Sequence, residues 1–299
     1  MPGSSAGDGG ELGAGAFRRV YPEDFLRRFL RQGVRPDGRP LARGRPVSIE
    51  VGAAQVGAAA SCLVRCGGTV ALAGVHLGLR EPEDDRPRQG RLTVEAALHP
   101  LAPPEVRGWK AAQAEGAFTE RLRGVLQAPS AVDLEQLGVV EGVAAWALHV
   151  KVYVLSADGA VFDAALLAAV AALASTMVPT VEAAEGASLE ELQREAGTGE
   201  GAGGRFCFQR LPLSMTLCTC TGGHLLADPT LEEETHSDGF IHAVVDERGE
   251  LLSLDKAGGG ADMDGSTLNS CVQAAIKRHG EVLPLLAAAL GFDPTTSPS

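Results

Sequence analysis

The sequence has few aromatic residues, no long uninterrupted apolar run and a shortage of basic charge. Phe, Trp and Tyr make up 4% of the 299 residues, whereas hydrophobic residues as a whole make up 45%. No run of about 18 apolar residues is present, so a membrane span is not expected. The N-terminus is rich in Gly, Ser and Ala and is acidic, unlike a signal or transit peptide. We expect a soluble intracellular protein with a sizeable core.

The charge balance argues against a protein that grips nucleic acid unaided. There are 26 basic and 38 acidic residues, for a formal net charge of −12. Because phosphate binding depends on Lys and Arg, an acidic chain needs a local basic patch or a partner to hold RNA or DNA.

The six cysteines do not have the spacing of a metal site. They form a C-x3-C pair, a C-x-C pair and two single residues, and no H-x-x-x-H pattern accompanies them. We predict buried free thiols in a reducing compartment, with no metal and no cofactor. They are Cys62, Cys66, Cys207, Cys218, Cys220 and Cys271.

The most apolar stretch of the chain is Val143 to Ser175, around which the rest is expected to pack. Its first half, up to Leu155, is rich in β-branched residues and predicts a buried strand. Asp158-Gly159 is typical of a turn in which the glycine takes positive φ. From Ala164 onward, Ala and Leu replace Val, which predicts a buried helix.

The remaining segments predict an α+β protein with two similar strand-rich halves, each packed with helices. We divide the chain into a disordered tail (1–20), a first half (21–185), an acidic and Gly-rich linker (186–204) and a second half (205–299). The predicted helices besides the central one span 21–32, 111–127 and 266–290. The predicted strands span 46–51, 56–65, 69–79, 92–98, 205–219, 223–227, 239–246 and 250–256. The Gly-rich segment 197–204 is assigned no role beyond a flexible insertion.

The order of these signals resembles the ribonuclease PH superfamily over residues 21–290. A short helix is followed by the turn Arg35-Pro36-Asp37-Gly38-Arg39, a hairpin at Gly67-Gly68 and the strand, Asp-Gly turn and helix; the sequence Asp-Pro-Thr-Leu-Glu-Glu comes later. Within this family the chain is most similar to non-catalytic ring subunits of the eukaryotic RNA exosome, which descend from the inactive archaeal ring partner. The resemblance implies a ribonuclease PH-type fold, with a first half like domain 2 of ribosomal protein S5, and a six-membered ring.

The resemblance also implies that a phosphate site has degenerated. Active members hold inorganic phosphate just after the Asp-Gly turn, in a GGTR-like run where a helix begins and anions are favoured. Here Val161 replaces the hydroxyl residue, Phe162 stands where Arg is needed, and Asp163 adds a negative charge that repels phosphate. The same Asp suits the dipole of a helix whose phosphate site is empty.

The resemblance places two catalytic carboxylates six residues apart after the Asp-Pro strand end. Counted from Asp228, these positions fall at Glu234, which can still ligate a metal, and Phe240, which cannot. A two-residue slip in the alignment would bring Asp238 to the second position. Otherwise Glu234 belongs to a solvated acidic loop or to a subunit contact.

Residues for RNA contact are expected on and before the helix at 111–127. Inactive archaeal partners carry two arginines there that face the ring channel, and the matching positions are Ala117 and Arg121. With the neighbouring Arg123, and with Lys110 and Trp109 before the helix, these side chains are the predicted RNA-binding residues. The alternatives are that the arginines pair with Glu120 or with solvent, and that Trp109 is a packed loop anchor.

These observations favour a non-catalytic structural subunit of the exosome ring, which supports assembly and threads single-stranded RNA for 3′-to-5′ processing and degradation. Its expected partners are other ring and cap subunits and RNA, with no membrane, and its expected location is the nucleus, nucleolus and cytoplasm. An active phosphorolytic 3′-to-5′ exoribonuclease is the alternative. A third hypothesis is a composite site, in which this chain lends groups to a catalytic neighbour.

Overall fold

The computed structural model describes residues 16–54, 57–98, 109–181, 187–198, 203–220, 223–257 and 265–295. The helices are α1 (Pro22–Leu30), α2 (Trp109–Leu126), α3 (Val161–Ala174), α4 (Leu189–Thr198), α5 (Leu231–Thr235) and α6 (Gly265–Leu290). The strands are β1 (Val47–Val51), β2 (Ala60–Cys66), β3 (Thr69–Arg80), β4 (Arg91–Leu98), β5 (Gly138–Val140), β6 (Ala144–Ser156), β7 (Met177–Val178), β8 (Gly204–Arg205), β9 (Leu213–Cys220), β10 (His224–Ala227), β11 (Ser237–Val245) and β12 (Leu251–Ala257). No helix among these residues is long and apolar enough to cross a membrane.

The strands form one large sheet in each half, which confirms the α+β class. The first sheet has the order β1-β2-β3-β6-β4, with β5 paired to β6, and the second has the order β10-β9-β11-β12. Among the described strands, β4 and β6 pair in parallel and the other pairs are antiparallel. The predicted hairpin joins β2 to β3, and Gly67 there has φ +58°.

Helix α3 is the centre of the molecule, as its apolar sequence predicts. All residues from Ala164 to Ala174 are buried, and α3 packs on β2, β3 and β6 of the first sheet and on β9 of the second. One hydrophobic core therefore includes side chains of both halves, such as Leu148 and Leu213. The helix begins at Val161, three residues before the predicted start, so the predicted phosphate-site residues form its first turn.

Two predicted segment boundaries were wrong. Residues 16–20, assigned to the disordered tail, are helical, and Arg18 pairs with Glu232; residues 1–15 lie outside the described part. The linker at 186–204 contains α4, whose Leu192 is fully buried in the core. Its last residue, Gly204, pairs with Val178, where β8 and β7 form a two-stranded sheet. The segment is folded there because α4 has an apolar side chain to bury, despite its acidic composition.

The six cysteines are free thiols, as predicted. Five are buried, and Cys207 is half-buried.

Candidate functional site

The turn before α3 is held against the acidic loop that follows β10. Gly159 has φ +76° and Ala160 has φ +45°, which confirms the positive φ predicted for the glycine. The Thr69 hydroxyl accepts from Asp158 N at 3.0 Å and donates to Gly159 O at 2.7 Å. A Cβ on Gly159 would lie 2.3 Å from the carbonyl oxygen of Pro229. The Asp-Gly turn and the Asp-Pro-Thr loop, far apart in sequence, thus form one site.

Asp163 binds to the second half instead of facing an empty anion site. Its carboxylate accepts from the Ser214 hydroxyl at 2.7 Å, from Thr216 N at 2.7 Å and from the Thr216 hydroxyl at 3.0 Å. Burial raises the pKa of this carboxyl to about 6, although the three hydrogen bonds act in the opposite direction. Asp163 therefore joins the start of α3 to β9.

Glu234 fills the position at the helix start where an anion is expected. Its Oε1 accepts a hydrogen bond from Ala160 N at 2.7 Å, so the protein's own carboxylate satisfies a donor beside the first turn of α3. The pKa of Glu234 is raised to about 7, mainly by burial and also by the charges of Asp163 and Asp228, against the opposing effects of the hydrogen bond from Ala160 and the charge of Arg45. The predicted degenerate carboxylate is thus a capping group in this structure, not a solvated loop residue.

The folded-state pKa of Glu234 lies above the unfolded value of 4.5. Its contribution to the free energy of unfolding is therefore largest below pH 4.5 and is lost as pH rises through about 7. Glu234→Gln keeps an acceptor for Ala160 N and removes the charge. We expect this variant to be more stable than the parent above pH 7 by about 1–2 kcal/mol, a value reduced because the side chain is partly exposed, and equal to it well below the unfolded pKa, at about pH 3.5. Urea unfolding at both pH values measures the difference. Glu232→Gln on the same helix is the control, and an equal gain there would contradict the assignment.

Phe162 occupies the position of the expected phosphate-binding arginine and is 3% exposed. Its ring meets Phe118 edge-on at 6.1 Å and His242 at 5.7 Å between centroids. Burial lowers the pKa of His242 to about 4, with a smaller effect of Arg121 in the same direction, so this imidazole is neutral near pH 7. The aromatic cluster offers no cation to a phosphate.

Phe240, at the second carboxylate position, is a packing residue. It lies half-buried against a cluster of Leu26, Leu30, Cys218 and Leu226, which joins α1 to the second sheet. Asp238, which a slip in alignment would bring to this position, is exposed in β11.

Two buried arginines that were not predicted hold the acidic loop in place. Arg45 is paired with Asp228 through Nη2–Oδ1 at 2.6 Å and Nε–Oδ1 at 3.0 Å, and it also donates to Gly159 O at 3.0 Å. Arg35 donates through Nε to Glu233 Oε1 at 2.8 Å and through Nη1 to Ala227 O at 2.6 Å. The signal available in the sequence is two arginine-rich turns and one acidic loop of complementary charge.

The predicted RNA-binding arginines on α2 both have intramolecular partners. Arg121 pairs with Asp255 at 2.6 Å, and its Cζ lies 5.6 Å from the centre of the Phe162 ring. Arg123 pairs with Glu120 at 2.5 Å. The sequence analysis considered Glu120 as a partner for either arginine, and in the structure it pairs with Arg123. Trp109 and Lys110 form the first residues of α2, but their side chains lie outside the described residues. RNA contact by these four residues stays a prediction.

Arg123 also belongs to a row of side chains that covers the free edge of β4. Thr119, Arg123 and Gln127, spaced four residues apart along α2 and just beyond it, donate to the carbonyls of Ala96, Val94 and Leu92 at 3.5, 3.5 and 2.5 Å. This row satisfies alternate acceptors of an edge strand that would otherwise be open to pairing.

The charged groups of the site are paired with one another. Two guanidinium groups near the start of α3, those of Arg45 and Arg121, are both paired with carboxylates. The carboxylates of Asp163 and Glu234 take donors that a phosphate would need. In the part of the chain that the structure describes, no three His, Cys, Asp or Glu side chains are grouped to share a metal ion.

Comparison with known proteins identifies relatives over nearly the whole chain. Residues 43–179 match domain 1 of the 3′ exoribonuclease family, and residues 211–278 match domain 2. The chain is 31% identical over 261 residues to "Exosome complex component Rrp42" of Methanopyrus kandleri, covering 87% of this chain and 94% of the relative.

Solved structures agree with this match. The Archaeoglobus fulgidus exosome with RNA bound to the active site contains a chain with a TM-score of 0.74 and 26% identity, covering 91% of this chain and 98% of that one. A chain of an archaeal exosome core has a TM-score of 0.72 and 25% identity, with 93% and 98% covered. The predicted two-domain ribonuclease PH-type fold is confirmed.

Proposed function

Because this chain belongs to the 3′ exoribonuclease family, also called the ribonuclease PH family, we propose that it is a subunit of an RNA exosome ring without an active site of its own. In this role it supports assembly of the ring with other ring and cap subunits and the passage of single-stranded RNA. The nucleus, nucleolus and cytoplasm are the proposed locations, which imaging of a tagged chain expressed at its native level would test.

The proposal depends mainly on which side chains lie at the start of α3. Phosphorolysis needs a bound phosphate. Here Phe162 stands in place of the arginine that would hold the phosphate, Glu234 accepts the hydrogen bond of the backbone donor Ala160 N, and Asp163 adds negative charge. Removing even one electrostatic contact of this kind lowers turnover by about 10²–10³-fold in enzymes that have been tested by substitution. With the arginine lost and a carboxylate added, the first turn of α3 offers no cation to hold the attacking phosphate.

We expect the purified chain to release no nucleoside diphosphate from single-stranded RNA in the presence of inorganic phosphate and Mg²⁺. An active ribonuclease PH assayed in parallel is the positive control. Asp238→Asn is the matched variant, since Asp238 is the exposed carboxylate that the active alternative needs. Diphosphate release by the parent that Asp238→Asn abolishes would overturn the proposal and establish the phosphorolytic enzyme.

Ring membership has a separate test. We expect native mass spectrometry of the complex that co-purifies with the tagged chain to show one copy of it among several different subunits. A homo-oligomer of this chain alone would contradict the ring proposal. The composite-site hypothesis would gain support if the assembled complex degraded RNA only when this subunit was present.

A further inference from the structure

The outward face of the first sheet carries a second group of basic residues, far from α3. In register across three strands, His76 of β3 faces His149 of β6, which faces Thr93 of β4. The side chains of these strands that point to α3 are buried, whereas Tyr153 on the outward face is 42% exposed. This face is therefore available to a ligand in the isolated chain.

A concavity of about 430 Å³ lies on this face and is lined by positive charge. Its lining includes Arg80, Arg91 and Lys151, together with the two histidines and Thr93, and no carboxylate from the described residues. In a chain with a net charge of −12, such a grouping is a local departure from the overall sign.

The charges in this concavity are only partly compensated, since Glu95, which pairs with His149, is also in register with Lys151. Within the described residues, Arg80 and Lys151 form no ion pair. Arg91 lies 3.6 Å from Glu83, but both side chains are more than half exposed, so water screens that pair. The nearest carboxylate on β4, that of Glu95, lies with Oε2 3.0 Å from His149 Nε2. An anion entering the concavity meets unpaired cations at little desolvation cost.

An exposed aromatic ring lies beside this concavity, in a neighbouring groove that Tyr153 and Lys151 line together with Arg123 and three carboxylates, those of Glu95, Glu115 and Glu120. Tyr153 is on the same face of β6 as Lys151, two residues further along. From Tyr153 to Ala147, which is in register with Arg91, the strand rises about 20 Å, enough for several nucleotides of an extended strand. Basic side chains that follow a backbone and an aromatic ring for a base are the two elements of sequence-tolerant single-strand binding.

We propose that this surface, the outer basic site (Arg80, Arg91, Lys151 and Tyr153), binds single-stranded RNA, with the cations on backbone phosphates and a base stacked on Tyr153. The choice of RNA over another polyanion rests on the proposed function. The site adjoins α2, because Lys151 and Tyr153 line a groove together with Arg123, and it gives the acidic chain an RNA contact on the outward face of the sheet.

The test is fluorescence anisotropy of the full-length chain with a labelled oligouridylate of about 12 nucleotides, within the site sizes of single-strand binders. We expect Arg80→Gln with Lys151→Gln to weaken binding about tenfold at low salt and to reduce the slope of log K against log salt by about 1.4. Tyr153→Ala should weaken binding about fivefold or more without changing that slope. Both changes are on the surface, and circular dichroism checks the fold.

Arg19→Gln with Arg31→Gln is the matched control, since it removes the same charge from exposed positions around α1. Equal losses in the two double variants would overturn the site, as would a parent chain that binds no RNA at low salt. If polyglutamate or inorganic phosphate displaces the RNA as effectively as unlabelled RNA does, the site takes an acidic peptide or free phosphate and the RNA assignment fails. None of these failures touches the ring proposal, which mass spectrometry and the phosphorolysis assay decide independently.

Discussion

Replacing Arg45 with Met is expected to destabilise the chain by about 3–5 kcal/mol, because it leaves the buried carboxylate of Asp228 without its main partner. The two side chains are each 5% exposed, and Arg45 also donates to the carbonyl of Gly159. The variant therefore breaks the link that joins β1, the acidic loop and the turn before α3. Urea unfolding followed by circular dichroism, with the m-value checked for constancy, measures the loss.

Two further variants separate this effect from a general cost of losing an arginine. Arg88→Met removes one member of a pair with Glu141 in which the side chains are 71% and 56% exposed, and it should leave the stability almost unchanged, because water screens the pair. Adding Asp228→Asn to Arg45→Met should restore part of the lost stability, since no unpaired charge then remains buried. If Arg45→Met and Arg88→Met cost the same, the buried pair does not hold the site together.

This network shows where prediction from the sequence reaches its limit. The strand β6 and the helix α3 were predictable because every residue needed for the inference is local: β-branched residues, a turn and an apolar helix in one stretch. Arg35 and Glu233 are 198 residues apart. The sequence shows that both are charged, but only the folded chain shows that they are buried together.

Helix α4 is a different case. The sequence contains a pattern that predicts the start of this helix, but the acidic and Gly-rich composition led to the segment being assigned as a linker. Ser188 and Glu191 form a reciprocal cap, with Ser188 N donating to Glu191 Oε2 at 2.9 Å and Glu191 N donating to the Ser188 hydroxyl at 3.4 Å. A Ser-x-x-Glu pattern predicts the start of a helix. Phe162 was likewise identified as a departure from an active site, but its packing against Phe118 and His242 depends on the meeting of the two halves.

Replacing Gly159 with Ala should be strongly destabilising, with an expected cost of more than about 3 kcal/mol. Positive φ accounts for about 1–2 kcal/mol of this cost. The remainder comes from the new Cβ, which would lie 2.3 Å from Pro229 O and 2.6 Å from Thr230 C. These are backbone atoms of a loop that Arg35 and Arg45 hold by buried ion pairs, so the loop cannot move aside without breaking them.

Gly142→Ala is the control that separates the steric clash of the new Cβ from the cost of a positive φ at a residue other than glycine. Gly142 has φ +72°, close to that of Gly159, but a Cβ added there would have no described atom within 4 Å outside its chain neighbours. Its replacement should therefore cost only the conformational part, about 1–2 kcal/mol. Thermal and urea unfolding of the two variants compare them directly. A difference of less than about 1 kcal/mol would mean that the acidic loop yields easily, and that the start of α3 is not a rigid, self-filled site. A large difference would show that the residues in place of a phosphate pocket hold the two halves of the protein together.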